Sequence, residues 1–467
     1  MRIALIFPPY PNVRNYFMPL GIAYLASVLE KGGHTVKIFD FALITHFNIK
    51  KHLRHVFNFK PNLIGFSVQT FTYKTAIKIS HYIKKKKPEL PIVFGGPHPT
   101  YYPEKVIKEA RIEYVIYGEG EYSFRELADV LENKGKFSKI KGLVYKENGK
   151  IIKNSKRPLI NNLDELPFPA RHLFQTKKYF DGKKKAMIIT SRGCPYNCIY
   201  CCKGIFGNRF RQRSPKDVIA EIKSVKNRYK IDKFFFIDEL FTFDKNFITK
   251  LCNEIIRIHL NIKWEALSRV DTVDLSLLEK MKEAGCNKIH YGIESGDPAV
   301  LKKINKNINL GQIKNAIKLT KQVGIKTDAY FILGLPGDNI DSMGKTIDLA
   351  YHLSLDNRNF SLATALPGNY LWEKLQKNDS VIEKNFNFRY ELEDIFLFNG
   401  EPVYNFSNLS NKDFKNKINI YWSYILKKEL KIRWNHVWVL IYVIYRLNFL
   451  NVFIKRVYNK FKFQINF

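Results

Sequence analysis

The chain has 467 residues, a formal charge of +34 and six cysteines. That length is too great for one ordinary domain and ample for two or three with sizeable apolar cores, so no disulfide framework is needed to hold it. The first cysteine is Cys194 and four of the six lie between Cys194 and Cys202, which excludes a secreted disulfide scaffold and points to a metal or cofactor site in a reducing, cytoplasmic compartment.

The opening MRIALIFPPYP is too short an apolar run, and too soon broken by proline, for a signal peptide; it reads as a strand. From there to about Asn133, apolar runs alternate with amphipathic stretches. RIALIFPP, HTVKIFDF, NLIGFSVQT, PIVFGGPHPT and YVIYGEGE read as strands separated by helices. Near-continuous apolar strands with helical crossovers predict a doubly wound parallel sheet, which takes ligands at the carboxyl ends of its strands. Those ends carry PPYP, SVQT, GGPHPT and GEGE. Their small and polar residues let a backbone approach a large cofactor closely. KGLVYKENGKIIKN predicts a hairpin turning at Asn148-Gly149, and LDELPFPARHLF, with Pro167 and Pro169, reads as a linker.

A second series begins at AMIIT and continues through KFFFID, IKWEALS, KIHYGIES, TDAYFILG and NFSLATAL. Helical patterns lie between them around 215–229, 245–259, 274–284, 311–323 and 340–353. Six such units predict an incomplete form of the eight-fold β/α barrel, whose active sites occupy the C-terminal strand ends. The distinctive groups fall at those ends: the cysteine loop, then Asp238-Glu239, Ser268-Arg269, Glu294-Ser295-Gly296, Gly334-Leu335-Pro336-Gly337 and Pro367-Gly368. The expected organisation is therefore an α/β sheet domain over 1–140, a hairpin and linker over 141–180, a partial (β/α)6 barrel over 181–375, and a helical, aromatic and basic region over 376–467.

Cys194, Cys198 and Cys201 stand at C-x3-C-x2-C in a loop opened by Gly193. A loop can wrap three thiolates around one soft metal centre. Three of them leave one iron of an iron–sulfur cubane open to another ligand, the mark of a catalytic centre. A closed zinc site would need Cys202 as fourth ligand, and adjacent residues in an extended loop point apart. Cys252, in a helical pattern, and Cys286, before a strand, read as packed apolar residues.

CPYNCIYC, with Tyr200 at the aromatic position, resembles the signature of the radical S-adenosylmethionine (radical SAM) enzymes, and FFFIDE, SRVD, GIESG and ILGLPG are similar to that family's later motifs. The resemblance implies a [4Fe-4S] cluster on Cys194, Cys198 and Cys201. It also implies S-adenosylmethionine on the fourth iron, cleaved on reduction to methionine and a 5′-deoxyadenosyl radical that takes a hydrogen atom from substrate. Tyr200, Asp238, Arg269, Glu294, Ser295 and Gly334 are the candidates to bind S-adenosylmethionine. Arg269 could pair with its carboxylate, or form a structural ion pair at the barrel mouth with Glu294. Asp238 could instead cap the next helix.

The α/β domain before the barrel, in PLGIAYLASVLEKGGHTVKIFD, GGPHPT and GEGE, resembles the cobalamin-binding branch of the family. None of the 11 histidines has an aspartate two residues before it, so the D-x-H-x-x-G motif that supplies a cobalt ligand in many cobalamin domains is missing: either cobalamin binds without a protein histidine on cobalt, as the resemblance implies for many relatives, or the domain has lost the cofactor. Ser67, Gly95 and Gly96 match the rest of that pattern, and His98 and Glu119 complete the candidate cobalamin residues. The resemblance implies methylation of an unactivated carbon of a small-molecule or lipid substrate. Ring or carbon–carbon bond formation with the same cofactors, and a non-catalytic iron–sulfur protein, are the alternatives. The methylthiotransferases that modify transfer RNA carry a second cysteine-bound cluster in their leading domain, whereas residues 1–193 here contain no cysteine.

A ferredoxin or flavodoxin is implied as electron donor, and the positive charge suits an acidic one. Nucleic acid is not expected as a partner, because the lysine runs occur amid abundant Asn and Ile, as codon bias alone produces. The last stretch, 431–467, is aromatic, aliphatic and basic, but its longest apolar run, Val437 to Tyr445, has nine residues where a spanning helix needs ~20. It reads either as a helix lying in the interface at the inner face of a membrane or as a cap over the barrel.

Overall fold

The computed structural model describes residues 1–10, 17–44, 47–180, 185–377 and 405–430. Strands β1 (Arg2–Phe7), β2 (Thr35–Asp40), β3 (Leu63–Ser67), β4 (Ile92–Gly95) and β5 (Tyr114–Ile116) form a parallel sheet in the order 2-1-3-4-5. The apolar runs exist because both faces are covered. Along β1, Ile3, Leu5 and Phe7 pack with Ala23 and Leu127 of the helices Leu20–Lys31 and Glu121–Asn133 on one side. Ala4 and Ile6 pack with Val56 and Ile79 of the helices Ile49–Asn58 and Tyr73–Lys86 on the other. The strand order reverses between β1 and β3, and in such sheets that crevice is where ligands bind. The hairpin β6 (Leu143–Glu147) and β7 (Lys150–Lys153) extends the sheet antiparallel from β5. Asn148 and Gly149 have φ of 50° and 76°, the left-handed pair a tight two-residue hairpin demands.

The second sheet contains β8 (Ala186–Ile188), and a short antiparallel ribbon of β9 (Ser191–Arg192) and β10 (Arg211–Gln212) follows it. Its further strands are β11 (Lys233–Phe236), β12 (Lys263–Ser268), β13 (Cys286–Glu294), β14 (Lys326–Leu333) and β15 (Asn357–Leu362). All six strands are parallel, in the order 8-11-12-13-14-15. The five outer helices are Pro215–Tyr229, Lys245–Arg257, Leu275–Glu283, Leu310–Gln322 and Ile340–His352. Each begins with a side chain, of Ser214, Asp244, Asp274, Asn309 or Asn339 in turn, accepting from a first-turn backbone N–H, a cap worth about 1 kcal/mol. Cys252 and Cys286 are buried in the core these helices make with the sheet.

Arg192 and Arg211, on the β9–β10 ribbon, bind the N-terminal domain through a buried ionic cluster. Glu119 accepts from Arg192 Nη1 at 2.8 Å, from Arg211 Nη1 at 2.8 and 2.9 Å, and from the Ile160 N–H at 2.7 Å. Glu121 takes the other Arg192 nitrogen at 2.7 Å. The helix Asn411–Leu430 packs Phe414, Ile418 and Ile425 against Leu333, Met343 and Ile347. The segment 431–467, with its membrane reading, lies outside the described residues. Among the described residues, no helix is long and apolar enough to cross a membrane.

Candidate active site

The cysteine loop runs from β9 to β10 and is fastened at its root by the acids that end β11. Asp238 Oδ1 accepts from the Thr190 N–H at 2.8 Å, the Ser191 hydroxyl at 2.7 Å and the Ser191 N–H. Glu239 accepts from the Gly193 N–H at 3.0 Å. Burial pushes the Asp238 carboxyl up to about 6 despite these donors. Gly193 has φ +86°, and a Cβ there would lie 2.3 Å from the Arg209 carbonyl oxygen. Glycine alone lets the two limbs of the loop approach so closely.

Further along, the Ile199 N–H donates to the Ile304 carbonyl at 3.1 Å, and Asn369 Nδ2 donates to the Tyr200 carbonyl at 3.0 Å. Tyr101 of the N-terminal domain presses its ring on Gly204 and Gly368, where a Cβ would clash. The loop is thus held by both domains. A hydrogen bond with Cys201 pulls the Cys198 thiol down to about 6 against its burial, and Lys306 and Arg269 assist. The same pairing drives Cys201 upward, and burial raises Cys194. Among the described residues, no three His, Cys, Asp or Glu side chains converge as a single-ion site. A cubane offers its irons at separate corners, so its thiolates need not meet at one point, and three soft thiols on one loop suit it.

At the barrel mouth the charged candidates are paired, with partners the sequence did not single out. Arg269 forms a two-pronged pair with Asp271, both contacts 2.9 Å, and also donates to the Lys306 carbonyl at 2.7 Å. Its guanidinium lies 3.7 Å from the centre of the Tyr196 ring. Glu294 binds Lys306 Nζ at 2.9 Å, and Lys306 reaches the Tyr200 hydroxyl at 3.2 Å. Arg269 and Glu294 therefore do not pair with each other. Glu294 has φ 72°, beside the register break between β13 and β14, a conformation rare outside glycine. Ser295 is buried and shares its hydroxyl with Thr346 at 3.2 Å. Gly334, φ +80°, faces Phe414, whose ring a Cβ would meet at 2.5 Å. Asp271 closes the SRVD motif but is not singled out there as a partner for Arg269; Lys306 has no sequence signal.

A cavity of about 490 Å³ opens at the β1/β3 switch point. Its sheet-domain wall includes Leu5, Phe7, Ser67, Gly95, Gly96 and Gly118, and its opposite wall is formed by Met187, Phe235, Ile237, Arg192 and Phe206 of the barrel and cysteine loop. Glu119 sits at its edge while holding the interdomain ion pairs. Gly118, φ +85°, has nothing within 4 Å of a would-be Cβ. Such an apolar, glycine-rimmed cavity fits the flat face and tail of a large cofactor like cobalamin. His98 does not reach it: the ring stacks on Tyr73 with centroids 4.0 Å apart and meets the Thr70 hydroxyl at 3.3 Å. Burial lowers its pKa to about 3, so it stays neutral.

A doubly wound sheet, a six-stranded barrel and a cysteine loop between them define an enzyme of the radical SAM class. Residues 188–350 match the model of the Radical SAM superfamily, and residues 11–128 match that of the B12 binding domain. The chain belongs to the radical SAM superfamily, in the group whose barrel follows a B12 binding domain. An uncharacterized methyltransferase of Pyrococcus horikoshii is 35% identical over 394 residues, covering 83% of this chain and 85% of that one. The anaerobic magnesium-protoporphyrin IX monomethyl ester cyclase of Rubrivivax gelatinosus is 28% identical, covering 83% and 72%. The fold matches the radical S-adenosylmethionine methyltransferase TsrM of Kitasatospora setae, solved with cobalamin and a [4Fe-4S] cluster, at TM-score 0.70 and 19% identity over 80% of this chain and 78% of that one.

Proposed function

We propose that this chain is a cobalamin-dependent radical SAM methyltransferase acting on an unactivated carbon of a small molecule or lipid. The observation that carries the reading is the single cavity walled on one side by the switch point of the B12 binding domain and on the other by β8, β11 and the cysteine loop. Arg192, Ile205 and Phe206 of the cysteine loop form part of the far wall, so a cobalamin in the cavity and a cluster on that loop would be neighbours. Cys194, Cys198 and Cys201 hold the cluster, and Ser67, Gly95 and Gly96 admit the cobalamin. When bound, the cluster supplies the electron that opens the sulfonium of S-adenosylmethionine, and cobalamin supplies the methyl group.

The chain's own residues organise that space. Asp238 and Glu239 fix the root of the cysteine loop. Asp271 and Lys306 hold Arg269 and Glu294 at the rim; Arg269, Glu294, Tyr200, Ser295 and Gly334 would hold S-adenosylmethionine there, Arg269 by its carboxylate. A ferredoxin or flavodoxin supplies electrons, and residues 431–467 carry any contact with a membrane surface. The test is anaerobic reconstitution with iron, sulfide and cobalamin, followed by methyl-labelled S-adenosylmethionine, reductant and cell extract. Label in a product together with 5′-deoxyadenosine supports the reading; 5′-deoxyadenosine without label favours ring or bond formation.

A further inference from the structure

The inner face of the barrel is apolar where it borders the cavity, at Met187 and Phe235, and polar from β12 to β15. Glu265, His290 and Asp328 are buried there side by side. Tyr330 lies above them with 38% of its surface exposed, and Asn359 and Ser361 of β15 continue the open polar wall. Alternation along β12 to β15 turns these side chains inward, while Ala266, Ile289, Ala329 and Phe331 pack in the core beneath the outer helices. The Phe235 ring joins the two regions, lining the cavity and standing 5.1 Å from the His290 ring.

A continuous hydrogen-bonded line runs from solvent into the barrel wall. The Tyr330 hydroxyl is 3.4 Å from His290 Nδ1, and His290 Nε2 is 3.1 Å from Glu265 Oε2. The other oxygen of Glu265 is held by Lys185 at 2.5 Å. Asp328 approaches His290 Nδ1 at 3.5 Å while binding Lys288 at 3.1 Å and the Asn357 amide at 2.8 Å. These are the charged and titratable groups facing the imidazole. The hydrogen bond to His290 and the nearby Lys185 hold the Glu265 carboxyl down at about 2 against its burial. An ionised carboxylate only accepts, so Glu265 takes the proton of Nε2; in that tautomer Nδ1 accepts from the Tyr330 hydroxyl, while Lys288 and Asn357 hold Asp328 back at 3.5 Å. A base oriented by a buried carboxylate and presented through a hydroxyl at an open surface is the arrangement of general-base catalysis.

We propose that the barrel interior binds a polar substrate bearing an ionisable N–H or O–H group, and that Tyr330, backed by His290 and Glu265, removes that proton. The substrate proton passes to Tyr330 Oη as the phenol proton passes to His290 Nδ1. The products are a substrate anion and an imidazolium between two carboxylates, with no change of oxidation state. Tyr330 is the catalytic residue, and His290 and Glu265 position and charge it. This deepens the proposed function by naming the substrate's chemistry, and rests on it only for the identity of the transferred group.

The reconstituted full chain is assayed with cell extract partitioned into aqueous and organic phases, reading 5′-deoxyadenosine and label separately. The aqueous phase is expected to stimulate 5′-deoxyadenosine formation; stimulation by the organic phase alone, or by neither, overturns the proposal. Stimulation without label upholds it while refuting methyl transfer. Tyr330→Phe should cut the stimulated rate about 10²-fold. Glu265→Gln should cut the stimulated rate and, because its amide can donate as well as accept, free His290 to take the other tautomer; a merely structural Glu265 would leave the tautomer in place. Independently of turnover, selective ¹⁵N labelling of histidine, with His290→Gln as assignment, should show the Nε2–H tautomer at His290; the Nδ1–H tautomer refutes the relay.

Discussion

Truncating Glu119 tests whether the two domains are joined by the buried ionic cluster. Glu119 satisfies three donor groups, on Arg192, Arg211 and the Ile160 backbone. In Glu119→Ala, Arg192 keeps Glu121, but Arg211 keeps only the Ile160 carbonyl at 2.7 Å. Its Nε and Nη2 are already buried without partners. Removing one partner from a buried pair leaves an uncompensated charge and costs about 3–5 kcal/mol. Replacing both by apolar groups of similar size removes the stranded charge, so Glu119→Leu/Arg211→Met should lose less than the two single substitutions summed, with a coupling of about 1–3 kcal/mol. Urea unfolding of the cofactor-free protein, followed by far-ultraviolet circular dichroism, gives the four stabilities of the cycle. A Glu119→Ala variant within about 0.5 kcal/mol of wild type, or strictly additive losses, would refute the reasoning.

Three further outcomes are expected. Gly21 lines the cavity and has open space where a Cβ would stand, so Gly21→Trp should fold, incorporate iron as the parent does, and lose cobalamin retention through gel filtration, read from the corrinoid absorption. Gly334→Ala combines a left-handed φ of +80° with a Cβ 2.5 Å from Phe414. It should destabilise by about 1–3 kcal/mol and loosen the helix Asn411–Leu430, seen as faster proteolysis there. Glu265 is held near 2 from an ordinary 4.5, so the unfolded chain binds its proton first on acidification. Its contribution is complete above about pH 5 and lost as pH falls toward 2, and the wild-type advantage over Glu265→Gln in urea midpoint should shrink across that window.

The parts legible in the sequence rest on local chemistry. CPYNCIYC sits in a loop because Gly193 and Pro195 cannot continue a strand, and its three thiols announce a soft metal centre wherever the loop lies. The helices were legible from their spacing and caps: the pattern at 215–229 is the helix Pro215–Tyr229, and that at 340–353 the helix Ile340–His352. Asn148-Gly149 dictates its own turn, as both residues tolerate positive φ.

What residues do once folded depends on neighbours far away in the chain. Asp238 reads equally as a ligand contact or a helix cap, and only folding brings it to Thr190 and Ser191. Arg269 and Glu294 read as cofactor contacts or as each other's ion-pair partners, and the tertiary structure pairs one with Asp271 and the other with Lys306. Glu119, at the tip of a cofactor loop by sequence, also clamps two domains across more than seventy residues. Gly334 faces a phenylalanine eighty positions later. The relay of Glu265, His290 and Tyr330 exists because three neighbouring strands bring these side chains to one face. Backbone preference and ligand chemistry act over a few residues and are written in order along the chain. Charge pairing and close packing are settled by whatever the fold sets within a few ångströms, and no local pattern records that.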